Sequence, residues 1–417
     1  AGLPTWWAGH RPWLLRAFGT PRAPVACPAT MRIGIPKESE PGERRVGLVP
    51  DVVAKLVGEG LQVAVEAGAG EAALIPDALF ADAGATVADD PAQVWDADVV
   101  VKLAPPTDHE LQRVGPHSVI IGLLRPYTDA RAMAALRDAG ATALALETLP
   151  RISRAQSIDA LSSQSNVAGY RAALIAAQEL GRFVPAMMTA AGSVPPATVL
   201  VLGAGVAGLQ AIATARRLGA SVVGFDVRPE VQEQVRSLGA KWLLLEGLGE
   251  GGGEGGYARA LTEEEQVRQR ELLAKAMEVV GVDAAITTAL IPGRPAPLLI
   301  TEDAVKRMRP GGVVVDLAAE AGGNCELSEP GRTVVRHDVR IAAPLNLPSS
   351  LPEHASQLFA RNVQALLDLL VRDRTLHLDL EDEVVTGLCV VREGRIRNER
   401  VRALVEDAAP SREGGPS

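Results

Sequence analysis

The sequence predicts an α/β protein made of two Rossmann-like, doubly wound parallel-sheet domains separated by a cleft. Three observations carry that expectation. A glycine-rich turn sits between an apolar run and a helix within residues 198–226, β-rich and helical stretches alternate on either side of it, and a dense polar segment, Arg151 to Asn166, joins the two halves.

The glycine turn is the most specific of the three. The apolar run Thr198 to Leu202 opens into Gly203, Ala204, Gly205, Val206, Ala207 and Gly208. Gly203 allows a tight turn, Gly205 lets the backbone approach a pyrophosphate, and Gly208 lets the helix pack closely on the strand, while the helix N-terminus offers unpaired N–H groups to phosphates. A helix from Leu209 to Leu218, stopped by Gly219, and a strand from Ser221 to Phe225 deliver Asp226, 18 residues after the third glycine. A carboxylate at that strand tip accepts hydrogen bonds from adenosine ribose hydroxyls and repels a 2′-phosphate, which favours NAD(H) over NADP(H). Arg228 fits a solvated loop charge better than a phosphate receiver.

Further elements follow the same alternation. In the first half, strands are expected at Met31–Pro36, Leu61–Glu66, Ala97–Leu103, Ser118–Gly122 and Ala141–Leu146, with helices at Asp51–Gly58 and Thr128–Ala139. The polar connector, residues 151–166, leads into a helix from Val167 to Leu180. Strands at Ala284–Thr288, Val313–Asp316 and Val339–Ala343 complete the second sheet. An amphipathic helix, Ala355 to Leu370, returns to the first domain, and Leu376 to Val391 alternates as a strand or arm. The expected organisation is thus an extension at 1–30, a first domain at 31–150 plus about 352–400, the connector, a nucleotide domain at 167–350, and a disordered tail at 401–417. The run from Glu246 to Gly256 is glycine-laden and precedes Tyr257, a pattern equally suited to a mobile lid and to a plain surface insertion.

Composition narrows the function. The 417 residues, 47% of them hydrophobic, suffice for two or three domains with cores of their own, and a net charge of −9 without a clustered basic face argues against a nucleic-acid partner. Cys27, Cys325 and Cys389 are widely spaced and lack a metal-ligand or redox pattern, so no metal site is expected. No uninterrupted apolar span of about 18 residues occurs. Residues 1–30 hold three of the five tryptophans and no acidic residue. They suit a transit peptide or amphipathic anchor, but the lack of a sustained period favours an upstream extension with Met31 as the biological start.

The chain is poor in acid–base candidates. None of His109, His117, His337, His354 and His377 stands at a strand's C-terminal edge with a suggested carboxylate partner, whereas Lys102 ends an apolar strand and either holds a substrate carboxylate or caps the sheet. Hydride exchange between two nicotinamides needs neither acid nor base. It needs positioning and the exclusion of water, for which the connector supplies an unusual density of polar groups; the bland alternative is a hydrophilic hinge capping the next helix.

Several segments together resemble the NAD(H)-binding component of proton-translocating NAD(P) transhydrogenase, within the wider family shared with alanine dehydrogenase. They are Arg151 to Asn166, Met187 to Gly192, Gly203 to Arg217, Asp226 to Pro229, Thr287 to Pro297 and Met308 to Gly312, together with Ile33 to Glu38 and Gly42 to Arg45. The resemblance implies that Arg151, Gln156, Asp159 and Ser162 orient the two nicotinamides. It places NAD(H) against the Gly203–Gly208 turn, Asp226, Val227, Arg228, Tyr257, Thr288, Ala289 and Leu290. It further implies a homodimer that docks on an NADP(H)-binding beta subunit beside a membrane-spanning subunit, at the inner face of the cell membrane on the cytoplasmic side. The expected arrangement is a split one, with those components on separate polypeptides. Lys102 matches a lysine of alanine dehydrogenase, but Leu123-Leu124-Arg125 stands where that relative has a histidine, which disfavours amino-acid chemistry.

Overall fold

The computed structural model describes residues 30–245, 262–290 and 293–408. The expectations for residues 1–29, Cys27 among them, for the glycine-rich 246–256 run and Tyr257, and for residues 409–417 lie outside the described residues.

The first half of the chain alternates β1 (Arg32–Ile35), α1 (Pro50–Gly58), β2 (Gln62–Glu66), α2 (Asp77–Asp82), β3 (Thr86–Ala88), α3 (Pro91–Trp95), β4 (Val99–Lys102), α4 (Asp108–Leu111), β5 (Val119–Gly122), α5 (Ala130–Asp138) and β6 (Thr142–Ala145). A 20-residue helix, α6 (Ala160–Glu179), then leads to the hairpin β7 (Met187–Thr189) and β8 (Gly192–Val194). The second half runs β9 (Thr198–Leu202), α7 (Val206–Arg217), β10 (Ser221–Phe225), α8 (Gln232–Ser237), β11 (Lys241–Trp242), α9 (Glu263–Val280), β12 (Ala284–Thr287), α10 (Glu302–Lys306), β13 (Val313–Asp316), β14 (Thr333–Arg336) and β15 (Val339–Ala342). The chain ends through α11 (Pro352–Leu370), β16 (Val371–Arg372), β17 (Thr375–Leu376), α12 (Glu383–Leu388), β18 (Cys389–Arg392), β19 (Arg395–Ile396) and α13 (Glu399–Ala408).

Two sheets result. The first has the order β19-β18-β6-β5-β4-β1-β2-β3, parallel from β3 to β6, and the second β11-β10-β9-β12-β13-β15-β14, parallel except for β14. Both contain a strand order that reverses beside the first strand entered, β1 in one and β9 in the other, the arrangement that opens a crevice at the strands' carboxyl ends. Both faces of each sheet are covered, which requires near-continuous apolar strands. Val199 and Val201 pack into a cluster with the alanines of α6 and α7, and Leu200 and Leu202 into one with Leu273, Met277 and Val305 of α9 and α10. In the first sheet, Val99 and Val101 meet Phe359, Val363 and Leu366 of α11, whereas Val100 meets Met133, Leu136, Val401 and Val405.

Three expectations are corrected. The helix after the connector begins at Ala160, not Val167, because Asp159 caps it: its Oδ1 accepts the Ser162 N–H at 2.9 Å, and that cap outweighs the weak helix propensity of the serines and asparagine that follow. Residues 376–391 are not one arm; they contain α12 and a strand, β18, that joins β6 antiparallel. The tail is not disordered from 401, since Val401 and Val405 of α13 are buried against the first sheet. Among the described residues, no helix is long and apolar enough to cross a membrane.

Candidate functional site: the crevice at the second sheet

The glycine turn lies between β9 and α7, where the second sheet reverses its strand order. Gly203 has φ 96°, and a Cβ there would come within 2.7 Å of Thr288 Oγ1; a Cβ at Gly208 would lie 1.9 Å from the Gly203 carbonyl oxygen. Gly205 differs: it caps α7 without a side-chain bond, and a Cβ there would meet nothing within 4 Å. The space beside Gly205 and the free amino end of α7 suit a pyrophosphate, as expected of a dinucleotide turn.

The rim of the crevice is fixed by two carboxylates at strand tips. Asp226 follows β10, and its Oδ2 accepts the Ala204 N–H at 2.7 Å, which ties the glycine turn to the neighbouring strand. Its remaining acceptor positions receive the Arg228 N–H, Nε and Nη2, each at 2.9 Å. Arg228 is therefore not a solvated loop charge. It forms a two-pronged pair with Asp226, their side chains 18% and 7% exposed, which offsets the carboxylate's charge at the point where a ribose was expected. Val227 is half-buried against the Leu202 cluster.

Asp316, at the end of β13, is the second carboxylate and was missed in the sequence. Fully buried, it accepts Thr287 Oγ1, Ser328 Oγ and the N–H groups of Ala318, Asn324 and Cys325. Asn324, equally buried, in turn accepts the Ala289 N–H at 3.1 Å and donates to the Ala289 and Pro297 carbonyls. Thr288 Oγ1 donates to the Gly203 carbonyl at 3.0 Å, and Leu290 is half exposed. Thr288, Ala289 and Leu290 thus stand beside the glycine turn, held from behind. The signal that could have found Asp316 is the one that found Asp226: a carboxylate ending an apolar run.

The connector reaches this crevice through α6. A Cβ at Gly169 would fall 2.0 Å from the Ala207 carbonyl oxygen, so the backbones of α6 and α7 touch there. At about 1.5 Å per residue, Asp159 lies about 15 Å from that contact along the helix. Asp159 Oδ2 accepts Ser162 Oγ at 2.6 Å, bringing two of the four connector residues together, while Gln156 is exposed on the turn Ser153–Ile158 before them and Arg151 is exposed just ahead of that turn. Arg154, also in this turn, forks onto Asp382 at 2.8 and 2.6 Å and anchors it to the first-sheet half.

A second network, also missed, holds the halves together. Arg45 pairs with Glu43 inside the protein and donates to Gln164 Oε1 of α6 at 2.9 Å and to Asn346 Oδ1 at 3.1 Å. Burial pushes the Glu43 carboxyl up, but hydrogen bonds and charge from Arg45 prevail and bring it to about 2.

Lys102 is closed to a substrate. Its Nζ lies 2.9 Å from Glu110 Oε1 and 3.2 Å from Glu38 Oε2, with the lysine 1% exposed. Burial lowers its pKa, yet the two carboxylates outweigh this and raise it, so the lysine is a charged structural centre. Arg125, in the segment read as lacking the histidine, has φ 52° and pairs with Glu40. Contrary to expectation one histidine does face a carboxylate: His337 lies 2.8 Å from Glu302. That pair is exposed at the turn before β15, at the opposite end of the sheet from the crevice.

Comparison with known proteins gives consistent matches. The alanine dehydrogenase/PNT N-terminal domain matches residues 34–168 and its C-terminal domain residues 172–399. The chain is 52% identical over 377 residues to the first part of the NAD(P) transhydrogenase alpha subunit of Rhodospirillum rubrum, covering 88% of this chain and 97% of that one. The solved transhydrogenase from Sinorhizobium meliloti superposes with a TM-score of 0.79 at 45% identity, over 88% of this chain and 99% of that one. A solved L-alanine dehydrogenase gives 0.73 at 27% identity, over 90% and 99%.

Proposed function

The chain belongs to the alanine dehydrogenase/PNT family, and from that premise we propose that it is the NAD(H)-binding subunit of a proton-translocating NAD(P) transhydrogenase. The bound dinucleotide supplies a hydride, passed directly to NADP+ held by a partner beta subunit, and separate membrane subunits couple the transfer to proton movement at the inner face of the cell membrane. The observation that carries this reading is the α6 tie: one helix seats its Gly169 on the glycine turn and presents Asp159 and Ser162 at its own start. That rigid spacing holds polar groups at a fixed distance from the pyrophosphate end, which is what hydride transfer between two rings demands.

In this reading the Gly203–Gly208 backbone holds the pyrophosphate. Asp226 fixes the turn and, with Val227 and Arg228, faces the adenosine side, while Thr288, Ala289 and Leu290 border the other side. Arg151, Gln156, Asp159 and Ser162 orient the carboxamide and ribose groups. A homodimer is supported by the hairpin β7–β8, whose Met188 and Val194 are exposed, as is Phe183 shortly before it in the chain. Alanine dehydrogenation is disfavoured, because a substrate carboxylate would have to displace Glu38 or Glu110 from Lys102.

The test is NADH oxidation by the purified chain in two assays, one with pyruvate and ammonium, the other with NADP+ and the partner's NADP(H)-binding domain. Turnover confined to the second is expected. Turnover in the first would overturn the reading in favour of an amino-acid dehydrogenase.

A further inference from the structure

At the edge of the first sheet, far along the chain from the glycine turn, the acidic protein reverses its charge. Arg137 at the end of α5, Arg392 on β18, Arg395 on β19, Arg397 just beyond it and Arg402 on α13 line one recess of about 570 Å3. Among the described residues, Glu393 and Glu406 alone oppose them on its wall. The expected absence of a clustered basic face fails here, because these arginines come from separate elements that the antiparallel addition of β18 and β19 brings together.

The local geometry concentrates like charge. Arg392 and Arg395 face each other directly across the β18–β19 ladder, and like charges so placed repel. They are joined by Glu393 and Gly394, both left-handed at φ 52° and 69°, a tight turn that fixes the register. Arg392 is held by Glu393 at 3.2 Å and Arg137 by Asp138 at 2.8 Å. Among the described residues, the side chains of Arg395, Arg397 and Arg402 make no ion pair or hydrogen bond.

We propose that this recess is a binding site for a small anion bearing two or more phosphate groups. Planar guanidinium forks match phosphate oxygens two at a time, and several converging forks favour a multiply charged ligand over a single phosphate. The volume lies within the range of small-molecule sites, about 300–1,000 Å3, and a concave recess suits a compact solute better than a flat anionic membrane. Inorganic pyrophosphate is the simplest probe of that chemistry.

The experiment is calorimetric titration of the whole chain with inorganic pyrophosphate, in saturating NADH so that the glycine turn does not compete. The wild type is compared with Arg395→Gln/Arg397→Gln, two exposed positions whose replacement leaves NADH affinity unchanged. Saturable binding at one site per chain is expected, weakened at least about tenfold in the double variant. Equal affinity in both proteins, or no binding to the wild type, overturns the proposal. Retention on phosphatidylglycerol vesicles without pyrophosphate binding overturns it as well, in favour of a lipid surface.

Discussion

Replacing Asp226 by asparagine keeps the shape of the side chain and removes the charge that four donors share. Of the four, the Ala204 N–H and Arg228 Nη2 meet one oxygen, and the Arg228 N–H and Nε meet the other. An amide offers one acceptor and turns an NH2 toward the remaining two donors, so one pair of bonds becomes a pair of donor clashes. Breaking one side of a buried ion pair costs about 3–5 kcal/mol, and the 18% exposure of Arg228 places this one near the lower figure, about 3 kcal/mol of folding stability. Loss of the Ala204 tether also loosens the turn, and NADH binding should weaken by about 1.5–3 kcal/mol, the span for a hydrogen bond to a charged group. Urea unfolding reads the first quantity, and calorimetric titration with NADH the second. A variant with wild-type stability and wild-type NADH affinity would refute the reasoning that Asp226 organises the turn.

Three other outcomes test the same frame. Gly205→Ala should fold with near-native stability, since its Cβ meets open space, yet bind NADH poorly; Gly208→Ala, whose Cβ would press on the Gly203 carbonyl, should lose stability by about 3 kcal/mol or more, and equal melting of the two by calorimetry would contradict the assignment. Burial pushes the Glu147 carboxyl up to about 7, although the Leu124 and Arg125 N–H groups donate to it. Its protonated form is thus favoured in the folded chain, so its contribution is full below the ordinary carboxylate range and lost as pH rises through 7. Denaturation curves of Glu147→Gln and wild type, compared at pH 5 and 8, should diverge by about 2–3 kcal/mol in favour of the variant at the higher pH; parallel pH profiles would exclude this. Gln156→Asn should slow hydride transfer with NADH affinity nearly unchanged, because the side chain is exposed on a turn that positions and does not build the fold; a parallel fall in both quantities would count against the connector's role.

The strands were legible because both faces of each parallel sheet are buried, which writes them as short apolar runs such as Val313–Asp316 and Ser221–Phe225. The glycine turn was legible because its steric demands are local: Gly208 meets a carbonyl five residues back. What escaped depends on partners remote in sequence. Arg45 is explained by Gln164 and Asn346, and Asp316 by Thr287 of the neighbouring strand as much as by its own loop. The start of α6 was hidden by polar residues that suggest a loop, although one aspartate at position 159 suffices to cap a helix there.

The first sheet is finished by residues synthesised after the whole of the second sheet. Its β6 edge is covered only when β18 arrives, and one face of its core awaits Phe359, Val363 and Leu366 of α11. The second sheet, in contrast, is drawn from one continuous stretch, Thr198 to Ala342. On the ribosome the nucleotide-type half can therefore close while the earlier-made half still exposes an unpaired edge and an apolar face. Order of synthesis and order of completion run opposite to each other, and it is the N-terminal sheet that depends on prompt arrival of α11 and β18 to escape aggregation.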